Sequence, residues 1–367
     1  MRFSIQREAL LEPLSAVTGV IERRQTLPIL SNILLSIDAD GLTLTGTDQE
    51  VELTTKVTDV DASEGGAVTI PARKLNDIWR SLPEGAMVSC HLDGSHVNVE
   101  SGRFKSHLAT LPADDFPKVQ LDSDSVSITI VGRELARLLD KCSFAMAQQD
   151  VRYFFNGMLM EVSPGQLRAV ATNGQRLATS FVELETSVSA PQQFIIPRKG
   201  VIELARLVPE NDDVVALHFS RNHMHACAGT STLTTKLIDG TYPDYSRAIP
   251  AGGDKMLIGS RRELREALTR AAILSNEMYR NVRLQLSPGT LQINANNPLQ
   301  EEAEEMVSVD YDGPELEIGF NVGYLIEALG VMQGDKVTLQ FSDASSAVLA
   351  TDQDDARSRF VISPMMI

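Results

Sequence analysis

The sequence predicts an α+β fold built from three similar domains, and two observations carry that prediction. The first is a phrase written twice: IPARKLNDIWRSLPEG at Ile70–Gly85 and IPRKGVIELARLVPEN at Ile196–Asn211. The second is an Arg-Glu pair after a short predicted strand, with its acids 126 and 129 residues apart at Glu8, Glu134 and Glu263. This period far exceeds the ~20–50 residues of a solenoid repeat. Each repeating unit is therefore expected to be a whole domain.

Two further sets of landmark residues recur in the same order and at spacings of 124 or 125 residues: Asn32, Asn156 and Asn281, then Thr47, Thr172 and Asn296. Polar, Gly-rich and acidic residues cluster between the units, as is typical of linkers. We therefore predict domains at 1–124, 125–253 and 254–367.

Within each unit the pattern predicts a strand, a helix, several strands, a second helix and further strands. Alternating stretches such as LTLTGTDQEVELTTKV are typical of half-buried antiparallel strands. The segment GRELARLLDKCSFAM instead places Leu135, Leu138, Leu139 and Cys142 at helical spacing. We expect helices over 71–81, 131–144, 197–207 and 260–272, and an α+β class with a majority of strand.

The net charge of −16 argues against a nucleic-acid partner, because affinity for DNA comes largely from Lys and Arg on phosphates. The four predicted helices are different: they hold thirteen basic and six acidic residues, a net charge of +7. Arg133, Arg137 and Lys141, at i, i+4 and i+8, are predicted to line one helix face. One basic helix is usually only a solvated surface. Four of them in repeated domains predict a continuous basic surface that attracts a polyanion without reading its sequence.

Other features exclude several classes of protein. Three cysteines are too few for a disulfide framework, and no apolar run approaches the ~20 residues of a membrane helix. We expect a cytoplasmic protein that does not bind membranes. The sequence has no P-loop, G-x-S-x-G, H-E-x-x-H or C-x-x-C motif, so we expect neither enzymatic activity nor a cofactor. His223, His225 and Cys227 share one strand face, but no fourth ligand is evident and we expect no metal site.

Many phrases in order resemble one family. They include TLPILSNILL, GTDQEVEL, TLPADDFP, AMAQQDVRYFFNGMLMEV, VATNGQRLA, KLIDGTYPDY, AAILSNEMYRNVRL, ANNPLQEEAEE and EIGFNVGYL, and they span the chain from end to end. The chain resembles the bacterial β sliding clamps, the processivity subunits of DNA polymerase III. The resemblance implies a head-to-tail homodimer that forms a ring, with helices lining the hole and antiparallel sheets outside. Such a ring slides on double-stranded DNA without sequence preference and tethers the polymerase.

The resemblance also implies three sets of site residues. The DNA-facing set is Arg24, Arg73, Gln149, Arg152, Tyr153, Lys199 and Arg206. The partner-peptide cleft comprises Phe155, Thr172, Gly174, Gln175, Arg176, Leu177, Pro243, Arg247, Tyr279, Asn321, Tyr324, Ser346, Val361, Pro364 and Met365. The dimer interface comprises Arg103, Phe104, Lys105, Leu108, Ile273, Leu274, Glu301 and Glu304, together with Glu302 and Glu305. We expect burial of Leu108, Ile273 and Leu274 to dominate its affinity, because exposed ion pairs contribute little.

The implied partners are the polymerase III alpha subunit, the clamp loader delta subunit, other polymerases and repair proteins, each through a short apolar peptide. The chain departs from the family pattern at Gln175, where many relatives read His, and in its last residues, SPMMI. Two functions therefore stay open. The first is a DNA-encircling clamp, and the second is an accessory clamp-like scaffold with an altered peptide preference.

Overall fold

One order of elements recurs three times in the computed structural model, which describes residues 1–22, 26–117, 119 and 126–366. The predicted boundary between residues 124 and 125, and the predicted DNA contact Arg24, lie outside the described residues. The first repeat contains β1 Arg2–Gln6, α1 Arg7–Val20, β2 Asn32–Asp38, β3 Gly41–Thr47, β4 Val51–Val57, β5 Asp61–Glu64, β6 Gly66–Pro71, α2 Ala72–Ser81, β7 Met87–Asp93, β8 His96–Ser101 and β9 Phe104–Ala109.

The second repeat keeps this order but lacks a counterpart of β5 in the described range. It contains β10 Val126–Val131, α3 Gly132–Ser143, β11 Gly157–Ser163, β12 Gln166–Thr172, β13 Arg176–Glu183, β14 Gln192–Pro197, α4 Arg198–Leu207, β15 Val214–Phe219, β16 His223–Ala228 and β17 Ser231–Lys236.

The third repeat follows the second element by element. It contains β18 Lys255–Ser260, α5 Arg261–Ala272, β19 Asn281–Ser287, β20 Thr290–Asn296, β21 Glu302–Ser308, β22 Leu316–Asn321, α6 Val322–Val331, β23 Lys336–Phe341, β24 Val348–Asp352 and β25 Asp355–Ile362. All four predicted helices are confirmed with limits within one residue, as α2, α3, α4 and α5. None of the helices in the described ranges is long and apolar enough to cross a membrane.

The contacts divide the chain into two compact units. The first unit, Met1–Arg133 with Ile202–Leu237, holds a five-stranded sheet of order β5-β1-β7-β8-β9 and an eight-stranded sheet of order β10-β15-β16-β17-β4-β3-β2-β6. Its core includes Trp79 of α2, which is fully buried. Ser15 of α1 donates a hydrogen bond to Asn76 of α2 over 2.9 Å, so the two helices are joined by a polar contact as well.

The second unit, Glu134–Val201 with Ile238–Ile367, has the same plan. It holds an eight-stranded sheet of order β14-β11-β12-β13-β25-β24-β23-β18 and a four-stranded sheet of order β21-β20-β19-β22. The strand pairs are antiparallel, and along β4 and β19 alternate residues are buried, which matches the predicted period of two.

Each eight-stranded sheet joins strands from two successive repeats. β17 pairs with β4 in the first unit, and β25 pairs with β13 in the second. The two junctions carry equivalent hydroxyl pairs, Thr55 with Ser231 and Ser180 with Ser358, each with its oxygens 2.9 Å apart. In the described part of the chain, β9 pairs only with β8, and β21 pairs only with β20. Within the described residues, β4 and β13 thus have a partner strand from the next repeat, whereas their counterpart β21 has none, and β9, the counterpart of β17 and β25, likewise has an open outer side.

The prediction that α3 exposes a row of basic side chains is wrong. Arg133 is exposed, but the Arg137 side chain is 13% exposed and donates to Ser180 Oγ and to the Phe181 carbonyl. Lys141 is 1% exposed, and its ammonium donates to the Val331 carbonyl over 2.5 Å and lies 3.9 Å from Asp355. Helical spacing places side chains on one face but does not say whether another part of the chain covers that face.

Candidate functional site

Nine buried side chains form an apolar cluster in the second unit: Ala147, Phe155, Leu159, Val170, Leu177, Ile195, Tyr242, Leu349 and Val361. Three of them, Phe155, Leu177 and Val361, belong to the predicted peptide cleft. Partly buried side chains pack against the cluster, among them Phe154 and Tyr245. The apolar members of the predicted cleft thus lie together, on strands β13 and β25 and on the turn before β11.

The loop between β12 and β13 borders this cluster and is held by its own side chains. Thr172 Oγ1 donates to the Arg176 carbonyl over 2.6 Å and accepts from the Gly174 amide over 3.0 Å. Asn173 Oδ1 accepts from the amides of Gln175 and Arg176, each over 3.0 Å. The sequence-based site omits Asn173, although Asn before Gly is a strong turn signal. The loop therefore presents a defined backbone at the cleft.

Two observations favour glycine at position 174. Its φ of +88° lies in the region that glycine adopts without steric cost. A Cβ at this position would also lie 2.8 Å from Nη1 of Arg152. The Arg152 guanidinium is itself fixed, because it donates to both carboxylate oxygens of Asp150 and to the Asn173 carbonyl over 2.8–3.1 Å.

Tyr324 connects the loop to helix α6. Its hydroxyl donates to Gln175 Oε1 over 3.2 Å and accepts from Asn173 Nδ2 over 3.2 Å. Asn321 caps the same helix, since its Oδ1 accepts from the Gly323 amide over 2.9 Å. The exposed Tyr279 joins this group, because its carbonyl accepts from Asn321 Nδ2 over 3.4 Å. Gln175 is thus a neutral hydrogen-bonding partner of α6.

Arg176 begins β13 at the end of the loop. Its side chain is 10% exposed, and its guanidinium lies 4.5 Å from the ring centre of Tyr324 and 5.2 Å from that of Phe144. It forms an ion pair with Glu327 and donates to the Phe144 carbonyl. Burial lowers the pKa of Arg176 to about 10, which leaves the group charged at neutral pH. Arg176 therefore supports the cleft as a stacked and paired cation.

The C-terminal residues hydrogen-bond to two elements of this site. The Ser363 amide donates to the Gln175 carbonyl over 2.8 Å, and the Met365 amide donates to the Gly319 carbonyl over 2.9 Å. Pro364 and Met365 are partly buried, whereas Met366 is fully exposed. The tail is therefore attached to both the β12–β13 loop and strand β22.

The remaining predicted cleft residues lie in surface turns. Arg247 is exposed and donates to Asp244 over 3.0 Å, just after Pro243. Ser346 Oγ donates to Asp343 over 2.9 Å, and hydrogen bonds from Ser345 and Ser346 lower the pKa of Asp343 to about 2. These turns carry polar and charged groups, in contrast to the apolar cluster.

A polar cavity of 380 Å³ lies next to the loop. Its lining includes Gln148, Asn173, Arg176, Arg198, Tyr324 and Glu327. Gln148 precedes the predicted DNA contacts Gln149, Arg152 and Tyr153. The loop that carries those contacts and the loop that borders the peptide cleft therefore line one cavity.

The predicted DNA contacts in residues 149–153 differ in their exposure and in their partners. Gln149 has a φ of +56°, a left-handed backbone conformation. Arg152 is half-exposed, but the Asp150 carboxylate compensates its charge, and this pairing lowers the pKa of Asp150 to about 2. Tyr153 is 54% exposed, whereas the Phe154 ring packs edge-on against Phe155 with centres 4.7 Å apart. Tyr153 is therefore the aromatic side chain available for stacking.

The helix cations that remain exposed are found on several helices. Arg73, Lys74 and Arg80 of α2 are exposed. Arg206 of α4 is exposed but paired with Glu203 over 2.7 Å, and Lys199 is partly buried. A groove of 460 Å³ on α5 is lined by Arg261, Arg262, Arg265, Glu266, Thr269 and Arg270.

The predicted interface residues lie on or near β9 and β21, two of the edge strands, and directly after α5. On β9, Phe104 is 37% exposed, but Leu108 is 8% exposed and already packed within its own sheet. After α5, Ile273 is 76% exposed, and Leu274 is partly buried. The Arg270 guanidinium binds both carboxylate oxygens of Glu305 on β21 over 2.5 and 2.9 Å. Leu108 therefore has little exposed surface that a second copy could bury, whereas most of the Ile273 side chain is available for such a contact.

The histidine-rich strand shows no arrangement suited to metal. The rings of His223 and His225 stack with centres 6.2 Å apart, and His225 Nδ1 hydrogen-bonds Thr234 Oγ1 over 2.8 Å. Over the ranges that the structure describes, no three His, Cys, Asp or Glu side chains are placed to hold an ion together.

Comparison with known proteins places the whole chain. Family models of the DNA polymerase III beta subunit match its N-terminal domain at residues 1–120, its central domain at 129–244 and its C-terminal domain at 246–366. The chain is 51% identical to the beta sliding clamp of Pseudomonas aeruginosa and 44% identical to that of Escherichia coli K12, over all of each chain. The structure of the Pseudomonas aeruginosa sliding clamp bound to griselimycin matches with a TM-score of 0.97 at 51% identity, covering all of both chains.

Three matched domains, the repeated element order and full-length identity of this size lead to one conclusion. The chain belongs to the DNA polymerase III beta subunit family and is a DNA sliding clamp.

Proposed function

We propose that two copies of the chain close head to tail into a ring around duplex DNA, with the helices toward the DNA and the sheets outside. The observation that carries this proposal is the pair of unpaired edges. The last strand of the second repeat, β17, pairs with β4, and the last strand of the third repeat, β25, pairs with β13. The last strand of the first repeat, β9, and the counterpart of β4 and β13 in the third repeat, β21, have no neighbour on their outer side in the described residues. Joining β9 of one copy to β21 of the next makes a heterologous interface, which gives a ring when its rotation closes.

The internal junctions supply the register on the β21 side. Glu305 holds in β21 the position that Thr55 holds in β4 and Ser180 holds in β13. The repeated residues Thr47, Thr172 and Asn296 pair with Glu52, Leu177 and Glu302 on the next strand. Thr55, Ser180 and Glu305 each lie three residues after that paired residue. Thr55 and Ser180 are the residues whose hydroxyls meet the next repeat, so Glu305 is expected to face the second copy.

The hairpin before each junction supplies the register on the β9 side. Phe104 and Ser231 are each the first residue to pair after a two-residue turn. Since Ser231 lies opposite Thr55, we expect Phe104 to lie opposite Glu305 of the partner subunit. Antiparallel pairing then places Lys105 opposite Glu304 of the partner subunit, which gives opposite charges on one face of the sheet.

Exposed apolar side chains near β9 and β21 support the same interface. Ile273 is largely exposed in the protomer and follows α5, the helix whose Arg270 binds Glu305 on β21. An exposed ion pair contributes only about 0–1 kcal/mol. We therefore expect the apolar side chains near β21 and Phe104 near β9 to supply most of the affinity, and the charges to select orientation.

For DNA, the proposed contacts are the exposed cations of the helices together with Tyr153. Such a lining binds phosphates without reading bases. A ring that is topologically linked to DNA stays on it without tight contacts. A net charge of −16, which gives little overall attraction to DNA, is therefore compatible with this function. We place this function in the cytoplasm.

For proteins, we propose that the apolar cluster and the β12–β13 loop form the cleft for short apolar peptides. The partners carrying such peptides would be the polymerase III alpha subunit, the clamp loader delta subunit, other polymerases and repair proteins. The relative that binds griselimycin supports a ligand site in this family, and the polar turns around an apolar floor are typical of peptide sites.

The test is retention on DNA of different topology. Protein loaded onto a nicked circular plasmid by its clamp loader should remain bound through gel filtration and should be released when the plasmid is cut once. The Ile273→Asp variant should be monomeric and retained on neither form. Equal retention of the unchanged protein on circular and linear DNA would contradict encirclement.

A further inference from the structure

Two histidines and an asparagine form a hydrogen-bonded row across one face of the five-stranded sheet. His91 in β7, Asn98 in β8 and His107 in β9 lie directly opposite one another. Asn98 Nδ2 donates to His91 Nε2 over 2.9 Å, and His107 Nδ1 donates to Asn98 Oδ1. Asn98 is buried, whereas His107 is exposed on the edge strand. The row thus ends at the edge that we expect to meet a second copy.

The hydrogen bond to Asn98 engages Nδ1 of His107 and leaves Nε2 for a second contact. The Asn98 amide oxygen can only accept, so His107 Nδ1 must carry a hydrogen. In the neutral ring, Nε2 then carries a lone pair and no hydrogen. Protonation turns Nε2 into a donor and gives the ring a positive charge. The state of Nε2 therefore decides what His107 can bind.

The register derived above places a carboxylate opposite this residue. With Phe104 opposite Glu305 of the partner subunit, antiparallel pairing puts His107 opposite Glu302 of the partner subunit. Both side chains point to the same side of the combined sheet, together with Lys105, because residues two apart on a strand share a face. Glu302 is exposed in the protomer.

We propose that His107 forms a proton-dependent contact with Glu302 of the partner subunit, so that the ring closes more tightly at mildly acidic pH. This inference rests on the head-to-tail dimer proposed above and describes its regulation. A protonated Nε2 donates a charge-assisted hydrogen bond to the carboxylate. A neutral Nε2 presents its lone pair to the same carboxylate, and the contact is lost.

The sign of the pH effect follows from the charged groups that face His107. They are Lys105 on β9, His96 and Glu100 on β8, His91 and Asp93 on β7, Arg2 on β1, and Glu302 and Glu304 of the partner subunit. Lys105 already pairs with Glu100 over 3.4 Å. Lys, Arg, Asp and Glu side chains ordinarily keep one charge across the neutral range, so histidine is the residue type in this set whose charge changes there. The stabilisation is present at the lower pH and is lost as the pH rises.

The test measures the dimer dissociation constant by sedimentation at about pH 6 and about pH 8. Because the ring holds two equivalent contacts, each worth little, the dissociation constant should be about tenfold lower at the lower pH. The His107→Gln variant, which keeps a hydrogen-bonding side chain but does not titrate, should show no such change. The His96→Gln variant removes a neighbouring exposed histidine and should keep the full change.

A second variant acts from the other side of the contact. Glu302→Gln lies on an exposed position and should also abolish the pH dependence, without affecting the fold of the protomer. If His107→Gln or Glu302→Gln keeps the tenfold change, the contact does not exist. A dimer whose affinity is flat with pH overturns this contact alone, whereas a monomer at every pH overturns the ring itself.

Discussion

Gly174 shows how a single residue determines the shape of the candidate cleft. Its positive φ lets the β12–β13 loop turn, and its lack of a side chain leaves room for the Arg152 guanidinium. Arg152 in turn binds the Asn173 carbonyl of the same loop. Sequence alone indicates a turn at Asn-Gly, but the contact with Arg152, about twenty residues earlier, follows only from the tertiary structure.

At this residue we predict that Gly174→Ala weakens binding of an apolar clamp-binding peptide by about fivefold, equivalent to about 1 kcal/mol. The added Cβ strains the backbone and displaces Arg152 from the loop. Gly165→Ala is the matched control: Gly165 has a similar φ of +75°, but no heavy atom lies within 4 Å of the position that its Cβ would occupy. Both variants should lower the melting temperature. Equal loss of peptide affinity in both would show that Arg152 plays no part.

Helix α3 shows which properties of an element the sequence predicts. Its limits are predicted within one residue, because the apolar side chains recur at helical spacing. Its basic side chains are predicted to face solvent, but Arg137 and Lys141 face β25 and the end of α6. Burial alone would raise the pKa of Asp355, but hydrogen bonds from Ser358 and the Arg357 amide, with the charges of Arg137 and Lys141, hold it below its ordinary value.

For this element we predict that Asp355→Asn destabilises the second unit by roughly 3–5 kcal/mol, because it leaves buried cations without their carboxylate. Denaturant unfolding measures the effect. Asp254→Asn, which removes an exposed carboxylate beside Lys255, should leave the unfolding midpoint unchanged. A Lys141→Met change should recover part of the loss when combined with Asp355→Asn, and additive losses would contradict a coupled pair.

The distribution of charge is a property of the whole molecule. The chain carries −16 overall, yet exposed cations remain on α2, α4 and α5. A ring around DNA needs its inner surface to be neutral or positive, while a negative exterior repels DNA from the rim. Arg73, Lys199 and Arg206 are the helix residues that the resemblance assigns to the inner surface.

At this scale we predict that reversing Arg73, Lys199 and Arg206 to Glu reduces loading onto nicked plasmid at least tenfold and leaves the dimer intact, because we propose that those cations face DNA and not the partner. Retention assays and sedimentation measure the two properties separately. The control variant carries Glu in place of Lys56 and Lys336, which lie on strands β4 and β23 and not on helices. This variant also becomes more negative, and it should load onto the plasmid normally. A monomeric triple variant would place those helices at an interface.

The amino-acid sequence alone predicts the three-domain repeat, the α+β class, the limits of four helices and the family. Each of these depends on local periodicity or on motifs that recur at a constant spacing, and such signals can be read along one chain. The resemblance also names Phe155, Leu177 and Val361 for the peptide cleft, and the structure brings these three into one buried cluster.

Three features follow from the packing of distant elements: which charged faces are covered, which strand edges remain open and which side chains meet across the sheets. Lys141 became an internal cation, Leu108 became part of its own sheet, and His107 became the end of a hydrogen-bonded row. The physical reason is that burial and pairing arise from strands and helices far apart in sequence. Local spacing determines the face on which a side chain lies, and the packing of distant elements determines what that face meets.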